Sequence, residues 1–318
     1  MTNSKLTMLK PLFPIINFST ADSHQGEAYL TWFLSQIPER MVLLHERYAA
    51  SGNQSDDLDF SPQSLKSLWV WFCTKKLLPN QEAELQQIRE GLDVWLTQVL
   101  QFHKANRYSI SGEQFFIALD LAIYFLEVLR QNNPSLQWQI GTSSPVTKNE
   151  NQPVLAGFQY GVQVNPWQLH HLFCLYVQAE PYISEDKLYL FYESYLDNLY
   201  GKDIPLGRKV TWGEQAHYIK GQSYPATAEL IPDLLEWLRD INWPGAMTIA
   251  EYVREIGEPL LEYLPEVFSS NDDIWIGWLR SEVIDFWPEE LQQKAEEIGK
   301  KHGRFILEQE ATDHDLEK

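Results

Sequence analysis

Sulfur is scarce in this sequence: 318 residues contain two cysteines, Cys73 and Cys174, each inside an apolar helical stretch. Two such distant thiols write neither a disulfide framework nor a zinc knuckle, so both are expected to be buried and reduced. Long apolar runs are missing too. The longest, "FFIALDLAIYFLEVL", is too short to span a bilayer and carries Asp120 and Glu127. Near the N-terminus Pro11 and Pro14 break the apolar stretch that a secretory leader would need. A cytoplasmic protein without membrane contact is the expectation.

Positive charge is the next deficit. Lys and Arg number 25 against 44 Asp and Glu, a net charge of −19. The imbalance is uneven: from residue 225 onward there are twenty-two acidic residues and eight basic ones. Such a surface repels phosphate backbones, which disfavours direct nucleic-acid binding, and it attracts basic proteins.

Catalytic signatures are also lacking. There is no G-x-S-x-G elbow, no G-x-G-x-x-G turn and no phosphate-loop spacing, so no cofactor is expected. His170 and His171 are adjacent and diverge by about 100° on a helix. His171 and Cys174 could share a metal at i, i+3, but no further ligands accompany them, so no metal site is expected. One arrangement does suggest chemistry. Asp120 and Glu127 lie two turns apart on one helix face with Tyr124 between them, a spacing that could split their proton affinities for acid–base work. The competing readings are a polar stripe, or buried groups bonded to a neighbouring strand's backbone.

What the sequence has in quantity is core material: 12 Trp, 15 Tyr and 15 Phe within 44% hydrophobic residues. The length suffices for two domains. Residues 20–201 read as a mostly helical α+β domain. Tyr29, Phe33, Ile37, Met41 and Leu44 form a helical stripe interrupted by Pro38, where a kink is expected. Ser61 and Pro62 open a second helix, with Leu65, Leu68, Trp69 and Phe72 buried. Further helices are expected near 81–104 and 112–131. The period then falls to two at "SLQWQIG" and "PVLAGFQYGVQV", which predicts a small hairpin or sheet. Helical spacing returns after Asn165–Pro166 and persists to Gly201.

Residues 202–227 are rich in Gly and Pro and read as a linker, with a short strand at "RKVTW". Residues 228–303 read as short stacked helices, and 304–318 as an acidic tail. Pro244, Gly257 and Pro259 supply stop and start signals between apolar stripes. Pro265 implies a kink or a late helix start. The whole chain is therefore expected to be mainly α, with a HEAT-like helical stack at its C-terminal end.

Trp237, Asp240, the Asn242–Trp243–Pro244 triplet, Ala246, Gly257, Pro259 and Asp273 followed by Trp275 and Trp278 carry a resemblance. On these residues the segment resembles the bacterial family called domain of unknown function 5071. The N-terminal part resembles uncharacterised regions that accompany it. The resemblance implies a small helical repeat and, through relatives among suspected immunity and antitoxin proteins, a binding role.

The residues that would serve such a role are Glu251, Glu255, Glu258, Glu262 and Glu266, then Asp272, Asp273 and Trp275. The glutamates repeat at i, i+4, where like charges cost a few tenths of a kcal/mol each. Solubility alone would explain them; so would a docking face for a basic protein partner. Trp275 would anchor that face if exposed. The expected function is a protein-binding module of immunity or antitoxin type. The alternatives are an enzyme using Asp120 and Glu127, or a non-inhibitory scaffold subunit.

Overall fold

A computed structural model describes residues 18–74, 112–179 and 184–304. The helix expected near 81–104 lies outside these residues. The chain divides into two compact units between Leu199 and Tyr200. Eleven α-helices and one two-stranded antiparallel sheet make up the regular structure among the described residues.

The N-terminal unit begins with α1 (Ser23–Ala50). Asp22 and Gln25 close a capping box: Gln25 N–H donates to Asp22 Oδ1 at 2.8 Å, and Asp22 N–H donates to Gln25 Oε1 at 3.1 Å. The helix runs through Pro38. Tyr29, Phe33, Met41, Leu44 and Tyr48 are its buried stripe. α2 (Ser64–Thr74) starts two residues past Pro62, and the Ser61 hydroxyl accepts from Ser64 N–H at 3.3 Å.

α3 (Gly112–Asn132) is buried along most of its length from Ile117 to Leu129, which is why its sequence is apolar on every side. It packs on α1, α2 and α4 (Pro166–Ala179). Asn165 caps α4 by accepting from Trp167 N–H at 2.8 Å. α5 (Lys187–Tyr200) closes the unit with Phe191 and Tyr195 against Phe125.

Strands β1 (Gln137–Ile140) and β2 (Pro153–Ala156) pair with Trp138 opposite Leu155. Both lean on α1, the support that a lone hairpin requires.

The C-terminal unit contains α6 (Lys209–Lys220), α7 (Ile231–Trp237), α8 (Ala246–Ile256), α9 (Leu264–Ser269), α10 (Asp273–Glu282) and α11 (Glu289–Lys301). α6 replaces both the strand expected at "RKVTW" and much of the expected linker. α8 is the centre: Ala246, Ile249, Ala250, Val253 and Ile256 form one apolar face that meets α6, α7 and α10. Each large aliphatic side chain buried there contributes roughly 1.5–3 kcal/mol.

The breaks follow the sequence chemistry with small offsets. Gly245, at φ +87°, turns the chain into α8 two residues after Trp243. A Cβ there would lie 2.6 Å from the Ala216 methyl, so glycine also permits the close approach of α6. Gly257 takes φ +67° at the end of α8. Pro259 then opens a 3₁₀ turn, Glu258–Glu262, and α9 starts late with Pro265 in its first turn.

Candidate functional site

Two places were singled out by the sequence, one in each unit. In the N-terminal unit Asp120 is fully buried on α3. The Arg40 guanidinium meets it as a fork, Nε to Oδ1 at 2.6 Å and Nη2 to Oδ2 at 2.8 Å. Arg47 Nη1 adds a third bond to Oδ2 at 2.9 Å. Burial pushes the Asp120 carboxyl above its ordinary range, and the two guanidiniums pull against that push.

Glu127 sits two turns further along α3. It accepts from Arg130 Nη2 at 2.7 Å and from the Trp138 indole N–H at 2.8 Å, which ties α3 to β1. Tyr124, between them, receives Phe60 N–H at 2.9 Å and shares a 2.8 Å bond with the Ser64 hydroxyl. Burial raises its phenol to about 12. Asp120 and Glu127 are thus engaged by different partners. Their bonds join elements of the fold: Asp120 links α3 to α1, and Glu127 links α3 to β1.

His170 is buried on α4 with Nε2 3.9 Å from Cys174 Sγ. Burial drives the Cys174 thiol far above its usual range, which keeps it protonated and inert. Among the described residues no three His, Cys, Asp or Glu side chains converge on one point.

In the C-terminal unit the seven acidic residues singled out from the sequence separate into two sets. Four of the seven are held by the chain's own cations. Lys220 on α6 bonds Glu251 on α8 at 2.6 Å, and Lys294 on α11 bonds Glu258 at 2.7 Å. Arg239 reaches Asp272 at 3.2 Å, while Asp272 also caps α10 by accepting from Trp275 N–H at 3.0 Å. Arg304 bonds Asp273 at 2.5 Å and donates to the carbonyls of Phe268 and Ser270. These contacts lower the carboxyls of Glu251 (through Lys220), Glu258 (through Lys294) and Asp272 (through the Trp275 N–H first). The second set is Glu255, Glu262 and Glu266. All three are exposed and form no ion pair among the described residues.

Trp275 corrects an expectation. It is 7% exposed, and its indole N–H donates to Leu235 O at 2.7 Å, joining α10 to α7. Arg239 lies over its ring, 5.5 Å from the centroid. It holds the stack together and does not project as an anchor; the exposed apolar side chain at this corner is its neighbour Ile274. Other tryptophans play the same bracing part. Trp237 donates to Pro244 O at 3.2 Å and Trp287 to Arg254 O at 3.2 Å, satisfying carbonyls that broken helices leave open.

Sequence reasoning missed the cations. Arg40 and Arg47 lie seven residues apart beside the buried stripe of α1, and an aspartate within the apolar run of α3 required just such a partner. Lys220 went unseen because α6 itself did.

Residues 214–317 match the family model described as Domain of unknown function (DUF5071), about a third of the chain. The match takes in most of α6 and all of α7 to α11. No curated protein and no solved structure matches the chain. Among the described residues no helix is long and apolar enough to cross a membrane.

Proposed function

We propose that this chain is a cytoplasmic, bacterial protein-binding module of immunity or antitoxin type, whose acidic helical surface covers a basic partner protein. The observation that carries this reading is the exposed set Glu255, Glu262 and Glu266, which form no ion pair among the described residues. They follow one another along α8, the 3₁₀ turn and α9, within the part of the chain where negative charge is concentrated. Charge of this kind speeds encounter with a cationic surface and rejects anionic ones. Glu251, Glu258, Asp272 and Asp273 already hold cations, so a partner's lysine or arginine would exchange with Lys220, Lys294, Arg239 or Arg304. Exposed ion pairs are worth about 0–1 kcal/mol, so exchange is inexpensive.

The test is affinity capture from the native lysate at low and high salt. Basic proteins are expected to bind at low salt and to be released as the Debye length shrinks. Glu255→Lys, Glu262→Lys and Glu266→Lys combined should abolish that capture. A bound set without basic bias, insensitive to salt and to the triple reversal, refutes the proposal.

A further inference from the structure

His45 lies on the inner side of α1, half-buried, with both ring nitrogens engaged. Nδ1 is 2.7 Å from Met41 O and Nε2 is 2.7 Å from Leu58 O. A carbonyl oxygen only accepts. Neutral imidazole carries one N–H, so it can satisfy one of these oxygens and must turn a lone pair on the other. The imidazolium carries two N–H groups and satisfies both.

The segment that Nε2 holds is under strain. Phe60, a non-glycine residue, stands at φ +60°. Its N–H is taken by Tyr124 OH at 2.9 Å, its O by Asn132 Nδ2 at 2.9 Å, and its ring stacks on Tyr124 at 4.6 Å. These ties come from α3. The tie from α1 at Leu58 is His45.

We propose that His45 is a proton-operated clasp: doubly protonated, it pins the Leu58–Phe60 turn to α1, and on losing a proton it releases one of its two carbonyls. The Nδ1 contact lies within α1, one helical turn back, and survives as a local bond. The Nε2 contact spans thirteen residues and is the one given up.

The charges around the ring do not supply another explanation for a proton there. On α1 the flanking groups are Glu46 and Arg47, and Arg47 is directed at Asp120. In the turn, Asp57 receives the Tyr48 hydroxyl at 3.2 Å and Asp59 accepts from Ser61 N–H at 2.9 Å. Asp56 completes the acidic set of the turn. From α3 the facing group is the Tyr124 phenol, its ring centroid 6.3 Å from that of His45. Among the described residues no carboxylate forms an ion pair with His45; its ring partners are the two carbonyls.

The sign follows directly. The clasp is closed while the ring carries both protons and opens, as pH rises, when it loses one. Imidazole nitrogen spectra of the full chain, assigned with His45→Gln, read the ring at about pH 6 and pH 8. Two N–H signals are expected for His45 at the lower pH and one at the higher. Protection of the Leu58–Phe60 amides, as factors corrected for intrinsic exchange, should fall roughly tenfold over the same interval, the loss of one hydrogen bond from a charged donor. In His45→Gln that fall should vanish. A singly protonated His45 ring at about pH 6 in the folded protein, or wild-type protection that does not change while the ring titrates, overturns the proposal without reference to whether the variant folds.

Discussion

At the scale of single residues the deciding feature is compensation. Asp120 has no contact with water, yet three guanidinium N–H groups from Arg40 and Arg47 reach it. Replacing such a pair wholesale by apolar groups is often tolerated, whereas removing one member leaves an uncompensated buried charge. Asp120→Asn is therefore expected to cost about 3–5 kcal/mol. Urea unfolding at neutral pH measures it, and a change under 1 kcal/mol would mean the carboxylate is not charged in the fold. The burial of Asp120 could be read from "IALDLAIY" alone, because polar residues inside such a run must lie in the core. Its partners could not. They stand eighty and seventy-three residues earlier, and nothing in local spacing connects positions that far apart.

At the scale of elements, local signals proved reliable where the buried face is apolar. α8 has Ile249, Val253 and Ile256 at helical spacing between two glycines at positive φ, and it forms where expected. α6 escaped notice for a physical reason. Its buried residues are Thr211, Gln215, Ala216 and Ile219, so half the stripe is polar. Gln215 replaces hydrophobic burial with bonding: its amide donates to Leu206 O at 2.8 Å and its carbonyl accepts Leu206 N–H at 2.8 Å.

The ion pairs between elements carry a pH dependence. Glu251 and Glu258 have carboxyls lowered below the ordinary glutamate value of 4.5 by Lys220 and Lys294. A carboxyl lowered in the folded state stabilises above its unfolded value and loses that contribution as pH falls through the folded one. Thermal midpoints should decline as pH drops below about 4.5, and less steeply in Lys220→Ala with Lys294→Ala. Calorimetry from neutral pH downward tests this; parallel curves for wild type and variant would contradict it.

At the scale of the whole molecule, charge and fold are distributed differently. Aromatic bulk is concentrated in the N-terminal unit, where Trp69, Phe125, Phe173 and Phe191 meet. Most of the excess acid falls in the C-terminal unit, whose interior is braced by indole N–H bonds. Each unit has its own core, so residues 200–318 expressed alone should give a helical far-ultraviolet spectrum and a cooperative melt. A featureless melt would show that the unit needs the rest of the chain.

The placement of α6 has a practical corollary for anyone trimming this protein. The family match begins at residue 214, inside that helix. A piece cut there discards the first turn of α6 together with Leu206, and strands the Gln215 amide in a dry interior with its acceptor gone. The boundary at which sequence kinship becomes detectable falls after the point where the smallest self-sufficient fragment has to start.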